Sequence, residues 1–306
     1  MMSNIHSILM VRPSSFRTNT QTLQNNHFQK ISDSSDEIIL QKTLIEFDNL
    51  VNKIRSYGIP VTVFQDDLIF DTPDSIFPNN WISFHTEKKI VLYPMYAENR
   101  RLERNENIIK KVESTGVIID TILDYTKAEL NNQFLEGTGS MVLDRKNKKA
   151  YASISERTSE ILLDEFCDEF NYMPIVFESY QNHGNRSYLI YHTNVMMCVA
   201  DKYSVICLES IKSEDEKKKV KQSLIDDGKE IIEISSKQLD CFSGNMIELI
   251  YNKKSYLVMS ETAFKSLNEN QLSSINNYSE IIYSNVDTIE SCGGGSVRCM
   301  IAEVFN

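Results

Sequence analysis

Short apolar runs separated by polar turns recur along this chain in one order: strand, strand, helix, strand. Trp81–Phe84 and Ile90–Leu92 read as a hairpin turned through Thr86-Glu87-Lys88-Lys89, and a helix over Arg101–Ser114, stopped by Gly116, leads to a strand at Val117–Asp120. The order returns with strands Ser140–Leu143 and Ala150–Ile154, a helix from Thr158 to about Glu169, and a strand at Ile175–Phe177. A third copy has strands Val195–Val199 and Val205–Leu208, a charged helix over Ser213–Asp226 ended by Gly228, and a strand at Ile231–Ile234. The fourth has strands Met246–Ile250 and Tyr256–Met259, helical segments between Thr262 and Ile275, and a strand at Ile281–Tyr283.

First strands near 81, 140, 195 and 246 place a fifth near 297, where Val297–Phe305 reads as a strand with no chain left to complete its unit. The missing parts stand at the other end. Ile5–Val11 is a strand, Ser34-Ser35-Asp36-Glu37 resembles a capping box opening a helix to Tyr57, and Val61–Phe64 closes the unit after Gly58 and Pro60. Five units with the first and last sharing one imply a closed α/β ring, a single domain over 1–306. Two ordinary α/β domains are the alternative; the regular period favours the ring.

Composition narrows the partners. With 32 Lys and Arg against 43 Asp and Glu, the net charge of -11 argues against nucleic acid, since no basic excess exists to neutralise phosphates. The six cysteines form no CxxC pair and no cluster with histidine, so reduced thiols in a cytoplasmic protein are expected rather than disulfides or a metal site. The apolar run Ile8–Val11 is too short for a signal or a membrane span, so no membrane partner is expected. A homodimer is compatible with all of this.

Candidate chemistry lies at one point of every repeat, at or just before the first strand: Asn79 and Asn80, Glu136, His192 and Asn194, Asn245, and Cys299 after Gly293-Gly294-Gly295. Singly, each has an ordinary reading: turn asparagines, a loop acid, a core histidine, a structural thiol. Their shared phase would bring them to one axis. Cys, His and Glu together suit covalent catalysis at an electrophilic carbon: thiolate attack, proton donation to a leaving nitrogen, then water activation, with no cofactor and no metal.

These motifs resemble the guanidino-group-modifying, or pentein, superfamily of arginine deiminases, dimethylargininases and amidinotransferases. The resemblance spans nearly the whole chain and implies a five-bladed, pseudo-fivefold α/β propeller of ββαβ units closed by pairing of the N- and C-terminal segments. Gly293-Gly294-Gly295-Ser-Val-Arg-Cys299-Met300 is similar to the nucleophile motif and selects Cys299 over Cys292. His192-Thr-Asn194 stands where the family has His-x-Asp, Leu-Glu136-Gly where it has its catalytic acid, and Ser155-Glu156-Arg157-Thr158 resembles the motif whose arginine binds the substrate α-carboxylate. Met10-Val-Arg-Pro, Asn25-Asn26-His-Phe-Gln29, Phe77-Pro-Asn79-Asn80-Trp81 and Tyr191-His-Thr-Asn-Val-Met-Met197 look most like the citrulline-utilisation hydrolase (CtlX-type) branch.

Two positions depart from the deiminase pattern. The aspartates that hold a guanidinium in that family correspond here to Asn80 and Asn194. Charged hydrogen bonds contribute about 1.5–3 kcal/mol against about 1 for neutral ones, so their loss weakens selection for a cation. An amide donates and accepts, which suits a neutral ureido group. The expectation is a C–N hydrolase acting on an arginine-derived amino acid, most readily citrulline, with catalytic Cys299, His192 and Glu136 and substrate-binding Asn79, Asn80, Asn194, Asn245 and Arg157. An arginine or substituted-arginine deiminase, dihydrolase or amidinotransferase is the alternative, and a non-catalytic binding ring a more distant one.

Overall fold

Five three-stranded sheets organise the chain, each with one antiparallel and one parallel pairing. The computed structural model describes residues 4–184 and 186–305. In the second unit Ile82–His85 runs antiparallel to Lys89–Leu92, which runs parallel to Thr121–Asp124. The third unit repeats this with Met141–Asp144, Lys149–Ser153 and Met173–Phe177. The fourth uses Met197–Val199, Tyr203–Ile206 and Glu230–Glu233, and the fifth Ile247–Tyr251, Lys254–Ser260 and Glu280–Ser284. The first unit joins the chain ends: Ala302–Val304 pairs antiparallel with Ser7–Arg12, Leu9 opposite Ala302, and Ser7–Arg12 pairs parallel with Val61–Gln65.

Helices make the crossovers that parallel pairing requires. The longest, Asp36–Ser56, buries Ile39, Thr43, Phe47, Leu50, Val51 and Ile54, the three-and-four spacing of one helical face. Burying each large apolar side chain there is worth about 1.5–3 kcal/mol. Neighbouring units touch in cyclic order. Ala302–Val304 lies on Ile82–His85, the Pro78–Asn80 turn on Gly137–Ser140, Met141–Asp144 on Met197–Val199, and Met197–Val199 on Ile247–Tyr251. The circuit closes where the Asp36–Ser56 helix packs on Glu280–Ser284, with Ile8, Phe47 and Leu50 sharing one apolar cluster with Leu249, Val258 and Ile282.

Several details differ from the sequence pattern, among them the strand expected over Val195–Val199: Val195 and Met196 belong to the buried helical turn Thr193–Met196, and pairing begins at Met197. The closing strand of the second unit is Thr121–Asp124, not Val117–Asp120: Val117 is drawn into the core beside Ile108 and Val112, and pairing starts only at Lys89 opposite Thr121. The helix expected over Arg101–Ser114 is two pieces, Glu98–Arg101 and Glu106–Glu113. Ser35 is the N-cap of the long helix but makes no side-chain cap bond, so Ser34–Glu37 is not a capping box. Of the apolar stretch Val297–Phe305, only Ala302–Val304 is strand; residues 297–300 form a turn.

That turn has counterparts. Pro78–Asn80, Gly137–Ser140 and Thr193–Met196 are single buried helical turns delivering the chain into the first strands of the second, third and fourth units, and residues 241–244 form a turn ahead of the fifth. A polar hairpin, Tyr180–His183 with Arg186–Leu189, is added between the third and fourth units. Among the described residues no helix is long and apolar enough to cross a membrane.

Candidate active site

Cys299 sits within the 297–300 turn, its N–H bonded to the Ser296 carbonyl at 3.0 Å, and is buried. Two amides face its sulfur. Asn245 Nδ2 lies 3.3 Å from Sγ and Asn194 Nδ2 3.6 Å. Ahead of this turn, Gly294 adopts a φ of +63°, and a Cβ there would stand 2.6 Å from the Asn26 amide, which donates to the Gly293 and Gly294 carbonyls. Tyr191 Oη donates to the Gly294 carbonyl as well. The glycine run is therefore a close-packed support for the turn that carries Cys299.

Glu136 and His192 occupy the same place in consecutive units, each immediately before a one-turn helix. This equivalence brings them together: His192 Nε2 lies 2.8 Å from Glu136 Oε2, both side chains almost wholly buried. The second oxygen, Oε1, accepts the Tyr96 N–H at 2.9 Å, and Arg157 Nη1 stands 3.5 Å from Oε2. Burial alone would push the Glu136 carboxyl up; the Arg157 guanidinium and the His192 bond outweigh it and hold it at about 2. Burial pushes the His192 imidazole down to about 4, against the opposite pull of Glu136. The resting pair is a carboxylate bonded to a neutral imidazole. The ring packs on Gly139, where a Cβ would come within 2.8 Å of it.

Arg157 is buried and stacks over the Tyr191 ring, 4.8 Å from its centroid. Its Nε donates to Asn25 Oδ1 at 3.1 Å, Nη2 donates to the same oxygen, and Nη2 reaches the Thr22 carbonyl at 3.4 Å.

Cys299, His192, Arg157 and Asn80 line one small cavity together with Asp74 and Arg100. Glu136 acts on this space through His192 and Arg157. Asn79 turns away: its Nδ2 donates to Thr138 Oγ1 while its Oδ1 accepts from Asn80 Nδ2. Asn194 and Asn245 are not among the cavity-lining residues. Asn194 borders a separate space of about 410 Å³ with Arg298 and Glu303, behind the sulfur. Of the eight expected residues, Cys299, His192, Arg157 and Asn80 thus line the cavity, and Glu136, Asn79, Asn194 and Asn245 lie behind it.

Asp74, Arg100 and Glu103 were not anticipated. Arg100 is buried, donating through Nε and Nη2 to Glu103 and through Nη1 to Asn80 Oδ1 at 2.7 Å. Asp74 accepts from Asn19 at 2.8 Å through Oδ2, whereas its Oδ1 is buried without a hydrogen-bond partner. Burial pushes this carboxyl up against the pull of Arg100. Asp74 lies on the segment leading into Phe77-Pro-Asn79-Asn80, which was the available signal; Arg100 looks like any helical arginine until its burial is known. Cys292 shares an apolar cluster with Cys299 but is not among the cavity-lining residues, and burial pushes its thiol up. Among the described residues no group of three or more His, Cys, Asp or Glu side chains could hold a metal ion. A wider opening of about 690 Å³, lined by His27, Tyr96, Tyr188 and Tyr191, borders the site at Arg157.

The fold is that of the guanidino-group-modifying enzymes of the pentein superfamily. Within that class the chain belongs to the family of eukaryotic N,N-dimethylarginine dimethylhydrolases, whose pattern matches residues 12–306. No curated protein sequence matches it. Among solved structures, the N-terminal domain of ArgZ covalently bound to a reaction intermediate is similar over 98% of both chains, with a TM-score of 0.72 and 14% identity. Apo ArgZ, an arginine dihydrolase from the ornithine-ammonia cycle in cyanobacteria, matches 99% of this chain but only 40% of its own length (TM-score 0.69, 13% identity). A dimethylarginine dimethylaminohydrolase adduct with S-methyl-L-thiocitrulline matches over 98% of this chain and 99% of its own (TM-score 0.62, 13% identity). At these identities the structural likeness speaks to the fold.

Proposed function

We propose that this protein is a hydrolase that cleaves the ureido group of citrulline through a covalent intermediate on Cys299. The observation that carries the reading is the Asn80–Arg100 contact on the cavity wall. At a position where the family's deiminases carry an acid, Asn80 offers an amide, and its oxygen already accepts from the Arg100 guanidinium at 2.7 Å. Asn80 therefore offers a substrate guanidinium no carboxylate, whereas a neutral ureido group needs none. The resemblance of Phe77–Trp81 and Tyr191–Met197 to the citrulline-hydrolase branch supports the same choice.

In this mechanism the Cys299 sulfur attacks the ureido carbon while its proton passes to neutral His192. The new C–S bond forms, the bond to the ornithine amine breaks, and His192 gives that proton to the departing nitrogen. Glu136 stabilises the transient imidazolium. Water, deprotonated by His192, then releases carbamate from the S-carbamoyl enzyme, and carbamate decomposes to ammonia and carbon dioxide. Arg157 holds the α-carboxylate in place of Asn25, and the unpartnered Asp74 oxygen is available to the α-ammonium.

A guanidino substrate is the second reading, favoured by Asp74 on the cavity wall. Incubation with citrulline and with arginine, assayed for ornithine, citrulline and ammonia, separates the two. Ornithine from citrulline is expected. Consumption of arginine with citrulline untouched, or turnover of neither, overturns the proposal.

A further inference from the structure

Asn245 is placed to hold the nucleophile rather than the substrate. Its amide is fixed on three sides. Oδ1 accepts the backbone N–H of Arg298 at 3.1 Å, while Nδ2 donates to the Asn194 carbonyl at 3.0 Å and points at Cys299 Sγ at 3.3 Å. Exchanging the amide oxygen and nitrogen would set oxygen against the Asn194 carbonyl and nitrogen against an N–H, so this orientation is imposed by the backbone. The residue is wholly buried and absent from the lining of the cavity that contains Cys299, His192 and Arg157.

The N–H that feeds Asn245 belongs to the residue just before the nucleophile. Arg298 is itself tied down: Nη1 donates to the Ile301 carbonyl at 2.8 Å and Nη2 to Glu303 at 3.2 Å. Arg298 thus clamps the turn carrying Cys299 from the side opposite the substrate cavity, and through its backbone aims the Asn245 donor at the sulfur.

We infer that Asn245 stabilises the Cys299 thiolate by amide N–H donation, with Arg298 as the positioning residue that orients it. This extends the covalent mechanism proposed above, on which it rests, but makes a claim about the free enzyme. An N–H directed at an anionic sulfur favours the charged, nucleophilic form. Such a charge-assisted bond corresponds to about ten- to hundredfold in reactivity.

The test is alkylation of the unliganded protein by iodoacetamide at fixed pH, with the modified cysteine located by peptide mass. Sulfur displaces iodide, a C–S bond forms, and the thiol proton goes to buffer. Asn245→Asp keeps the acceptor for the Arg298 N–H but replaces the donor at sulfur with an oxygen. Asn245→Leu removes both, and thermal melts check that each variant folds. Slowing of Cys299 alkylation by tenfold or more in Asn245→Asp, with Cys292→Ala at the wild-type rate, is expected. Where substrate is turned over, kcat should fall with KM little changed. Wild-type alkylation rates in a folded Asn245→Asp or Asn245→Leu protein, or a loss confined to KM, overturn the inference. Because alkylation needs no substrate, failure of the citrulline reading leaves this outcome readable.

Discussion

Asn25 and Arg157 stand 132 positions apart, yet one amide oxygen of Asn25 accepts from both Nε and Nη2 of the Arg157 guanidinium. The asparagine occupies the forked donor as one oxygen of a carboxylate would. If Arg157 receives the substrate's α-carboxylate, Asn25 is its neutral stand-in and must yield to the ligand.

Replacing Asn25 by Asp should therefore raise KM. A carboxylate on the same backbone would compete for Arg157 with a charge-assisted pair worth about 1.5–3 kcal/mol, about ten- to hundredfold in apparent affinity. Steady-state kinetics should show KM raised with kcat nearly unchanged. A fall in kcat at constant KM would mean that Arg157 does not bind the carboxylate.

Cys299→Ala should abolish turnover, whereas Cys292→Ala should retain it. Cys299 lines the cavity, whereas Cys292, in the same apolar cluster, does not. Emptying the Cys292 site should cost on the order of 1 kcal/mol, seen as a lower melting temperature with kcat preserved. The opposite pattern of activity would move the nucleophile.

Much of this arrangement was legible in the chain. The repeat gave the strand order and the joined termini, because half-buried strands alternate and their polar turns interrupt them visibly. Where apolar residues are buried for another reason the pattern misleads. Val297, Met300 and Ile301 are fully buried, yet they belong to the turn that carries Cys299 and its exit rather than to a strand. Val117 likewise fills the core before pairing begins. Within the site, phase anticipated that Glu136 and His192 would meet, because equivalent repeat positions converge. It could not say which amides line the substrate cavity, since Asn80 and Asn245 share that phase and differ only in the side of the sulfur on which they lie. Asp74 and Arg100 stand outside the phase and emerge only from burial and contacts.

The buried imidazole should leave a mark on stability. Folded His192 stays neutral down to about pH 4, whereas in the unfolded chain it takes up a proton near pH 6.5. Between these values the unfolded state binds more protons, so stability falls as pH drops, by about 1.4 kcal/mol per unit for this one group. Glu136, held at about 2, adds its loss only below its usual range near 4.5. From pH 6.5 towards 4 the urea midpoint of His192→Gln should fall less steeply than that of the wild type, the buried His85, also pushed down, titrating in both proteins. An equal slope in both proteins would show that His192 titrates normally.

Gly139→Ala tests the same ring by steric means. Gly139 lies in the single turn after Glu136, and an added Cβ would stand 2.6 Å from Asn80 Nδ2 and 2.8 Å from His192 Cε1 and Nδ1. Both distances are below any real carbon contact, so something must move. Asn80 is held by Arg100 on one side and Asn79 on the other, which leaves the imidazole to yield. Rotating it lengthens the 2.8 Å bond to Glu136 and removes the support for the imidazolium that forms when Cys299 attacks. Overpacking of this kind costs about 1–3 kcal/mol of stability, a fall of several degrees in melting temperature. The larger effect should be on kcat, about a hundredfold, because a displacement near 1 Å at a proton-transferring group is enough. Iodoacetamide should still modify Cys299 at close to the wild-type rate, since Asn245 and Arg298 lie on the other side of the sulfur. If turnover and melting temperature both match the wild type, the ring has room that the packing denies, and His192 is not the residue whose position limits the reaction.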